Sequence, residues 1–228
     1  MMNCFIPCRK KGDLIDNLNF LELEEKKLVE FSIITARKTK LFKKIFIISD
    51  DKITSKKLIE KYPYLEFIYE KNTNQQFDAM ISNIEKKQKI LTDKICVLLP
   101  NYPFKSVQSI KKMYSNFSKN KLSLLMSASK HSRPIYKYNN KSVMKIDILD
   151  KVKNKKNSSQ LFNLTGGIFF YEKLFKLNFD KLNLNQLFII NEHEALGIYS
   201  LYDFIKASSL LNIDSSIINK LMEYRLKV

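Results

Sequence analysis

Glycine and proline are scarce in this 228-residue chain, at four and five residues. A loop-rich all-β fold needs turn residues in far greater supply, so that architecture is set aside. Long hydrophobic runs are missing too, and no apolar stretch approaches the length of a bilayer span. The first residues lack the charged region and apolar core of a secretory signal, so a cytoplasmic protein with no membrane partner is the expectation. Cysteine is limited to Cys4, Cys8 and Cys96, each inside an apolar run. Cys4 and Cys8 would share one face of an extended segment, too far apart to bridge. An odd count in a cytoplasmic chain reads as small buried hydrophobes. Arginine is rare as well: Arg9, Arg37, Arg133 and Arg225 are the whole set.

The net charge of +17 therefore rests on lysine, which is spread through every segment. Proteins that read nucleic acid cluster arginine for bidentate contacts. Scattered lysine is the mark of solvated helix faces, and a coding bias toward A/T-rich codons would produce it. A nucleic-acid partner is not expected. The 45% hydrophobic content suffices for the core of one domain spanning residues 1–228.

Short apolar runs alternate with helical patterns, which points to an α/β fold with a largely parallel sheet. Strands are expected at Asn3–Cys8, Ile45–Ser49, Leu65–Tyr69, Lys94–Leu99 and Leu122–Ser127. Helices are expected at about Glu25–Lys40, from a cap at Thr54 or Ser55 to near Pro63, at Gln75–Gln88 and at Ser106–Phe117. After Ser129 the rhythm loosens into a hairpin-like excursion, Pro134–Tyr138 and Lys141–Leu149, closed through Asn139-Asn140. A polar loop at Lys151–Gln160, a strand over Phe162–Tyr171, and helices at Ser200–Leu211 and Ser215–Leu226 complete the chain.

In open parallel sheets, ligands bind at the carboxyl ends of the strands. Strand order alone brings Arg9, then Ser49-Asp50-Asp51, then Asn101 to one edge. A strand that delivers the cationic turn Arg9-Lys10-Lys11-Gly12 is suited to nucleotide phosphates. Asp50 and Asp51 have two readings: ligands for ribose hydroxyls or a metal, or the turn into the next helix, which aspartate favours.

The motifs carry a resemblance. Ile6, Pro7, Arg9, Ile15 and Asn19 stand in register with I-P-A-R-x-G-S-K-G-I-P-x-K-N, the opening of the acylneuraminate cytidylyltransferases, or CMP-N-acetylneuraminic acid synthetases. Residues 27–33 resemble the family's K-P-L-I-E-Y-T-I, and residues 40–51 its K-L-F-D-R-V-I-V-S-T-D-D. Leu98 to Lys105 resembles L-Q-P-T-S-P-L-R, Thr165 to Phe169 resembles N-G-A-I-Y, and Leu196 to Phe204 falls at I-D-I-D-T-x-x-D-F. The order is collinear from residue 3 to about residue 207.

The resemblance implies a three-layer, nucleotide-diphospho-sugar transferase-like (GT-A-type) domain with a mixed sheet. It implies transfer of CMP from CTP to a sialic-acid-like nonulosonic acid in surface-sugar biosynthesis. It further implies a homodimer, with an arm at about residues 130–160, and Mg2+ if the protein is catalytic. Arg9, with Lys10 or Lys11, would meet the phosphates; Asn19, Ser49, Asp50, Asp51 and Asn101 the nucleotide; and Thr165, Gly166 and Gly167 the sugar. Five positions depart from the pattern. Asp13 and Leu18 replace lysines, Leu99 replaces a glutamine, and Gly197 and Tyr199 replace the aspartates that carry the metal. No residue is assigned to a metal, although Glu192, His193 and Glu194 could supply ligands from a shifted loop. Two readings follow: an enzyme with altered cation contacts, or a noncatalytic homologue that binds a sugar or a protein partner.

Overall fold

A computed structural model describes residues 2–10, 15–71, 84, 93–130, 136–139, 142–145, 162–172 and 182–212. It opens with β1 (Met2–Pro7), an interior strand, five of whose six residues are buried. Beyond it in the chain come β2 (Glu22–Leu23), β3 (Lys26–Lys27), β4 (Phe42–Ser49), β5 (Leu65–Tyr69), β6 (Lys94–Leu98) and β7 (Leu124–Lys130). The series continues with β8 (Tyr136–Asn139), β9 (Ser142–Lys145), β10 (Phe162–Glu172) and β11 (Leu187–Ile189). Helices α1 (Leu28–Thr39), α2 (Lys52–Lys61), α3 (Val107–Lys119) and α4 (Leu201–Asn212) lie between or after them.

Seven strands form one sheet in the order β11-β7-β10-β6-β1-β4-β5. β1 pairs in parallel with β4 and β6, β4 with β5, and β11 with β7, whereas β10 runs antiparallel between β6 and β7. The sheet is thus mixed and largely parallel, as expected. Both faces are buried, which is why its strands read as continuous apolar runs. Cys4, Ile6, Ile45, Ile47, Cys96, Leu98 and Phe170 face Val29, Ile33, Leu58, Ile110 and Phe117, so α1, α2 and α3 form one outer layer. Phe5, Phe46, Ile48, Ile95 and Val97 face the other way, with Ile84 and Leu182 packed on that side. Phe5 and Phe46 stack at 5.1 Å between ring centroids. All three cysteines are buried and free.

Several boundaries differ from those read in the sequence. α1 starts at Leu28 rather than Glu25, because β2 and β3 pair around Glu24, whose φ of 55° reverses the chain. Lys40, at φ 58°, ends the helix. α2 is capped by Asp51, not by Thr54 or Ser55. Its carboxylate accepts from the amides of Ile53 (3.0 Å) and Thr54 (3.2 Å), the free donors of a first helical turn. β7 runs on to Lys130 because Ser127 and Ser129, polar by sequence, are buried in pairing with β10. β11 is an edge strand not among those read from the sequence. The hairpin forms as β8 and β9, with Asn139 opposite Ser142, and Asn140 and Lys141 lie outside the described residues. The expected helices at Gln75–Gln88 and Ser215–Leu226, and the loop at Lys151–Gln160, lie outside the described residues, Ile84 apart.

A second, smaller cluster matters for the site. Leu23, Leu28, Ile198 and Ala207 pack with Leu18, Phe31, Phe104, Leu196 and Phe204, and so dock the C-terminal segment beside the first loop.

α1 and α2 are joined through the buried carboxylate of Glu30. It accepts from the Lys27 amide (2.9 Å) and the Tyr62 hydroxyl (2.6 Å), and pairs with Lys61 at 2.5 Å. Burial alone would raise its pKa; the bonds from Lys61, Tyr62 and Lys27 outweigh that and hold it below the ordinary carboxylate value. A folded-state pKa below the unfolded one stabilises the protein above the ordinary carboxylate range, and the effect fades as pH falls through the lowered value. Glu30→Ala is expected to cost about 1–3 kcal/mol by leaving buried donors unpaired. Urea unfolding should show that gap at neutral pH and a narrower one in acid.

Candidate functional site

Three loops leave the carboxyl edge of the sheet, after β1, β4 and β6, and hydrogen bonds fix each of them. After β1, Arg9 is half-buried and Lys10 exposed. The Lys10 amide donates to Asp50 Oδ1 at 2.7 Å, joining the loop after β1 to the loop after β4. Asn19 Nδ2 donates to the Arg9 carbonyl at 3.3 Å, and the Asn17 amide to the Lys10 carbonyl at 2.6 Å. Asn19 thereby braces the turn that carries Arg9. Lys11 lies outside the described residues, as does Asp13.

At the end of β4, Ser49 is fully buried and its Oγ accepts from the Asp51 amide at 3.0 Å. Asp51 caps α2 and also accepts from Thr54 Oγ1 at 2.8 Å. Burial would raise its pKa, but the Thr54 and Ile53 bonds, with the charge of Lys10, hold it below the ordinary value. Of the two readings of this pair, the turn accounts for Asp51, while Asp50 bridges to the cationic loop. Thus Ser49 and Asp51 are engaged within the scaffold, and Arg9, Lys10 and Asp50 lie toward the edge.

The loop after β6 is organised by a residue that sequence reasoning left without a role. Lys105 is 4% exposed, and its Nζ donates to the carbonyls of Leu99 (2.7 Å) and Tyr102. Burial pushes its pKa down to about 7, against the opposing influence of the Cys4 and Cys96 thiols. The only signal in the sequence is a lysine directly after the apolar Pro103-Phe104, at the end of the L-L-P-N-Y-P-F-K stretch. Asn101 is half-buried, and its carbonyl accepts from the Ile198 amide at 2.8 Å. That bond sets residues 196–199 against the loop.

Thr165, Gly166 and Gly167 form the irregular part of β10, where its register against β7 shifts between Leu164 and Phe169. Thr165 Oγ1 donates to the Ser127 carbonyl at 2.9 Å and lies 2.8 Å from Ser127 Oγ, so this hydroxyl is engaged inside the sheet. Gly166 takes φ +60°, and a Cβ on Gly167 would lie 2.8 Å from the Tyr102 ring. The two glycines let β10 pass close under the loop.

Tyr102, 3% exposed, reaches Tyr199, and the two hydroxyls lie 2.5 Å apart with the rings edge to face. Burial first, then the bond to Tyr199, raises the Tyr102 pKa. A Cβ at Gly197 would lie 2.6 Å from the Tyr199 ring and 2.8 Å from the Tyr102 ring. Asp203 accepts from the amides of Tyr199 (3.1 Å) and Ser200 (3.0 Å), so it caps α4 and fixes the Tyr199 backbone.

These residues do not fit magnesium in the way the resemblance implies. A magnesium site uses carboxylate oxygens with phosphates and water. Positions 197 and 199 offer none, and tyrosine rings fill the volume that a side chain at 197 would need. Glu194 is buried with Oε2 unpaired, and His193 lies against Phe104 at 4.4 Å. Among the described residues no three His, Cys, Asp or Glu side chains gather as a metal site. Among them, too, no helix is long and apolar enough to cross a membrane.

No family model matches the chain. It is 25% identical over 138 residues to a pseudaminic acid cytidylyltransferase of Campylobacter jejuni serotype O:2, and 24% identical to that of serotype O:23/36. Each alignment covers 58% of this chain, and the chain spans only 60% of the length of these relatives. Among solved structures, a CMP:2-keto-3-deoxy-manno-octonic acid synthetase complexed with CTP superposes with a TM-score of 0.67 at 10% identity, covering 92% of this chain and 98% of that one. A 4-diphosphocytidyl-2C-methyl-D-erythritol synthase from Anaerococcus prevotii does so with 0.64 at 16%, covering 93% and 96%. The fold is that of these nucleotidyltransferases. The sequence likeness is to cytidylyltransferases of nonulosonic acids broadly, and the named relatives act on pseudaminic acid rather than an acylneuraminate.

Lys105 supplies a pH test. Its folded pKa lies below its unfolded one, so between about pH 7 and the ordinary lysine value the unfolded chain binds more protons and stability rises with pH. Urea midpoints of the wild type relative to Lys105→Met should therefore climb from pH 7 to pH 10 and level off below pH 7. A flat difference would show that the amine titrates normally.

Proposed function

We propose that this protein binds a cytidine nucleotide at the carboxyl edge of its sheet and serves in the activation of a nonulosonic acid as its CMP-sugar for surface polysaccharide. The observation that carries this reading is the joined edge itself. The Lys10–Asp50 bond holds a cationic turn against the loop after β4, on a fold shared with a synthetase complexed with CTP. The turn offers cations for phosphate, and Asn19 presets its shape by holding the Arg9 carbonyl. Pseudaminic acid is the first substrate to try, because the likeness in sequence is to its cytidylyltransferases. The proposal includes a cytoplasmic homodimer, with the β8–β9 hairpin as its arm.

Within this function, catalysis and binding without transfer are two readings. Tyr102, Gly197 and Tyr199 favour the second, since transfer of CMP from CTP calls for cations on the departing pyrophosphate. The protein would then hold a cytidine nucleotide or its sugar for a partner protein.

Calorimetric titration with CTP and with CMP tests the binding. Arg9→Ala is expected to weaken it about tenfold, the worth of one charge-assisted phosphate contact. Release of pyrophosphate from CTP on addition of pseudaminic acid decides between transfer and binding alone. Failure of every cytidine nucleotide to bind would overturn the proposal.

A further inference from the structure

At the end of β4 away from the candidate edge, positive charge gathers around a cavity. Residues 36–45 carry Arg37, Lys38, Lys40, Lys43 and Lys44 and no acidic residue, and the whole run is described. Lys44 is paired with Glu66 at 2.7 Å. No described carboxylate pairs with Arg37, Lys38 or Lys40. Those three line a cavity of about 470 Å³, together with Ala36, Phe42 and Ile45. It lies where the last turn of α1 meets the first residues of β4.

Arg37 is oriented from behind. Its guanidinium lies over the Tyr64 ring, 4.7 Å from the centroid, and Tyr62 meets Tyr64 edge-on at 6.0 Å. A guanidinium stacked in this way keeps its in-plane N–H groups for an oxyanion. Cations in a last helical turn also complement the helix dipole, and that accounts for the positions of Arg37 and Lys38. It does not account for the cavity or for Lys40. Lys40 ends α1 at φ 58°, where glycine or asparagine is favoured, so a lysine is held there at a backbone cost.

The lining is of two kinds. The three cations answer a carboxylate, sulfonate or phosphate, while Ala36, Phe42 and Ile45 answer hydrocarbon or a ring. The volume falls within the range of small-molecule sites, about 300–1,000 Å³, and exceeds what a bare oxyanion fills.

We propose that this cavity is a second ligand site, for a small organic anion with an apolar body, held at its acidic group by Arg37 and Lys40. It stands apart from the cytidine-nucleotide reading. The cavity meets β4 at Phe42, whereas Asp50 follows the other end at Ser49, about 23 Å along the strand at 3.3 Å per residue.

Calorimetry on the full chain tests the site, with phenyl phosphate, inorganic phosphate and phenol as probes. Phenyl phosphate is expected to bind about tenfold tighter than either of the others, and Arg37→Gln to weaken it about tenfold. Lys40→Gln, a second exposed position, is expected to weaken it about threefold, and urea midpoints check that both variants fold. Inorganic phosphate binding as tightly as phenyl phosphate overturns the apolar body, and phenol doing so overturns the anion. No binding of phenyl phosphate, binding unchanged in both variants, or its displacement by CTP overturns the site. A CTP titration that shows no binding bears on the nucleotide reading alone.

Discussion

A buried lysine amine holds the candidate edge together. Lys105 sits beneath the loop after β6 and donates to the carbonyls of Leu99 and Tyr102. Placing a charged amine there is costly, and the depressed pKa reflects that cost. In return the loop has one shape, with Tyr102 aimed across it and the Asn101 carbonyl aimed at Ile198. The tyrosine pair, the close passage of Gly167 and Gly197, and the docking of residues 196–199 all depend on that shape.

The scaffold and the site are supported differently. The sheet is held by apolar burial on both faces, a nondirectional force that tolerates exchange of one aliphatic side chain for another. The edge is held by directional contacts: the Lys10 amide on Asp50, Asn19 on Arg9, Ser127 on Thr165, and tyrosine on tyrosine. Such contacts are lost or rewired by single substitutions. A chain can therefore keep the nucleotidyltransferase fold at 10–16% identity to solved examples while its chemistry changes.

The polar residues marked by motif position divide along that line. Ser49, Asp51 and Thr165 satisfy backbone donors or acceptors inside the fold, and Asp203 caps α4. Motif matching cannot separate these roles from ligand contact, because a carboxylate at a helix start and a carboxylate facing ribose occupy the same place in a sequence. Arg9, Lys10 and Asp50 remain at the open side of the edge.

Much of the fold was legible because apolar periodicity is a local property. The strands at residues 65–69 and 94–98 follow from short, mostly apolar runs of aliphatic and aromatic residues, and Ser106 caps α3 where a serine precedes an amphipathic segment. The convergence of Arg9, Asp50 and Asn101 also follows, since parallel strand order alone brings those ends together. The β2–β3 reversal at Glu24 and the polar end of β7 were not legible. Each is stabilised by partners distant in sequence or by a left-handed residue that is not glycine. The sequence by itself determined the fold class, the edge that carries the candidate site, and that positions 197 and 199 hold no carboxylate. Only the tertiary structure decided what surrounds them. A tyrosine at residue 102 and another at residue 199 become one hydrogen-bonded pair through contacts 97 positions apart, and no local pattern encodes that distance.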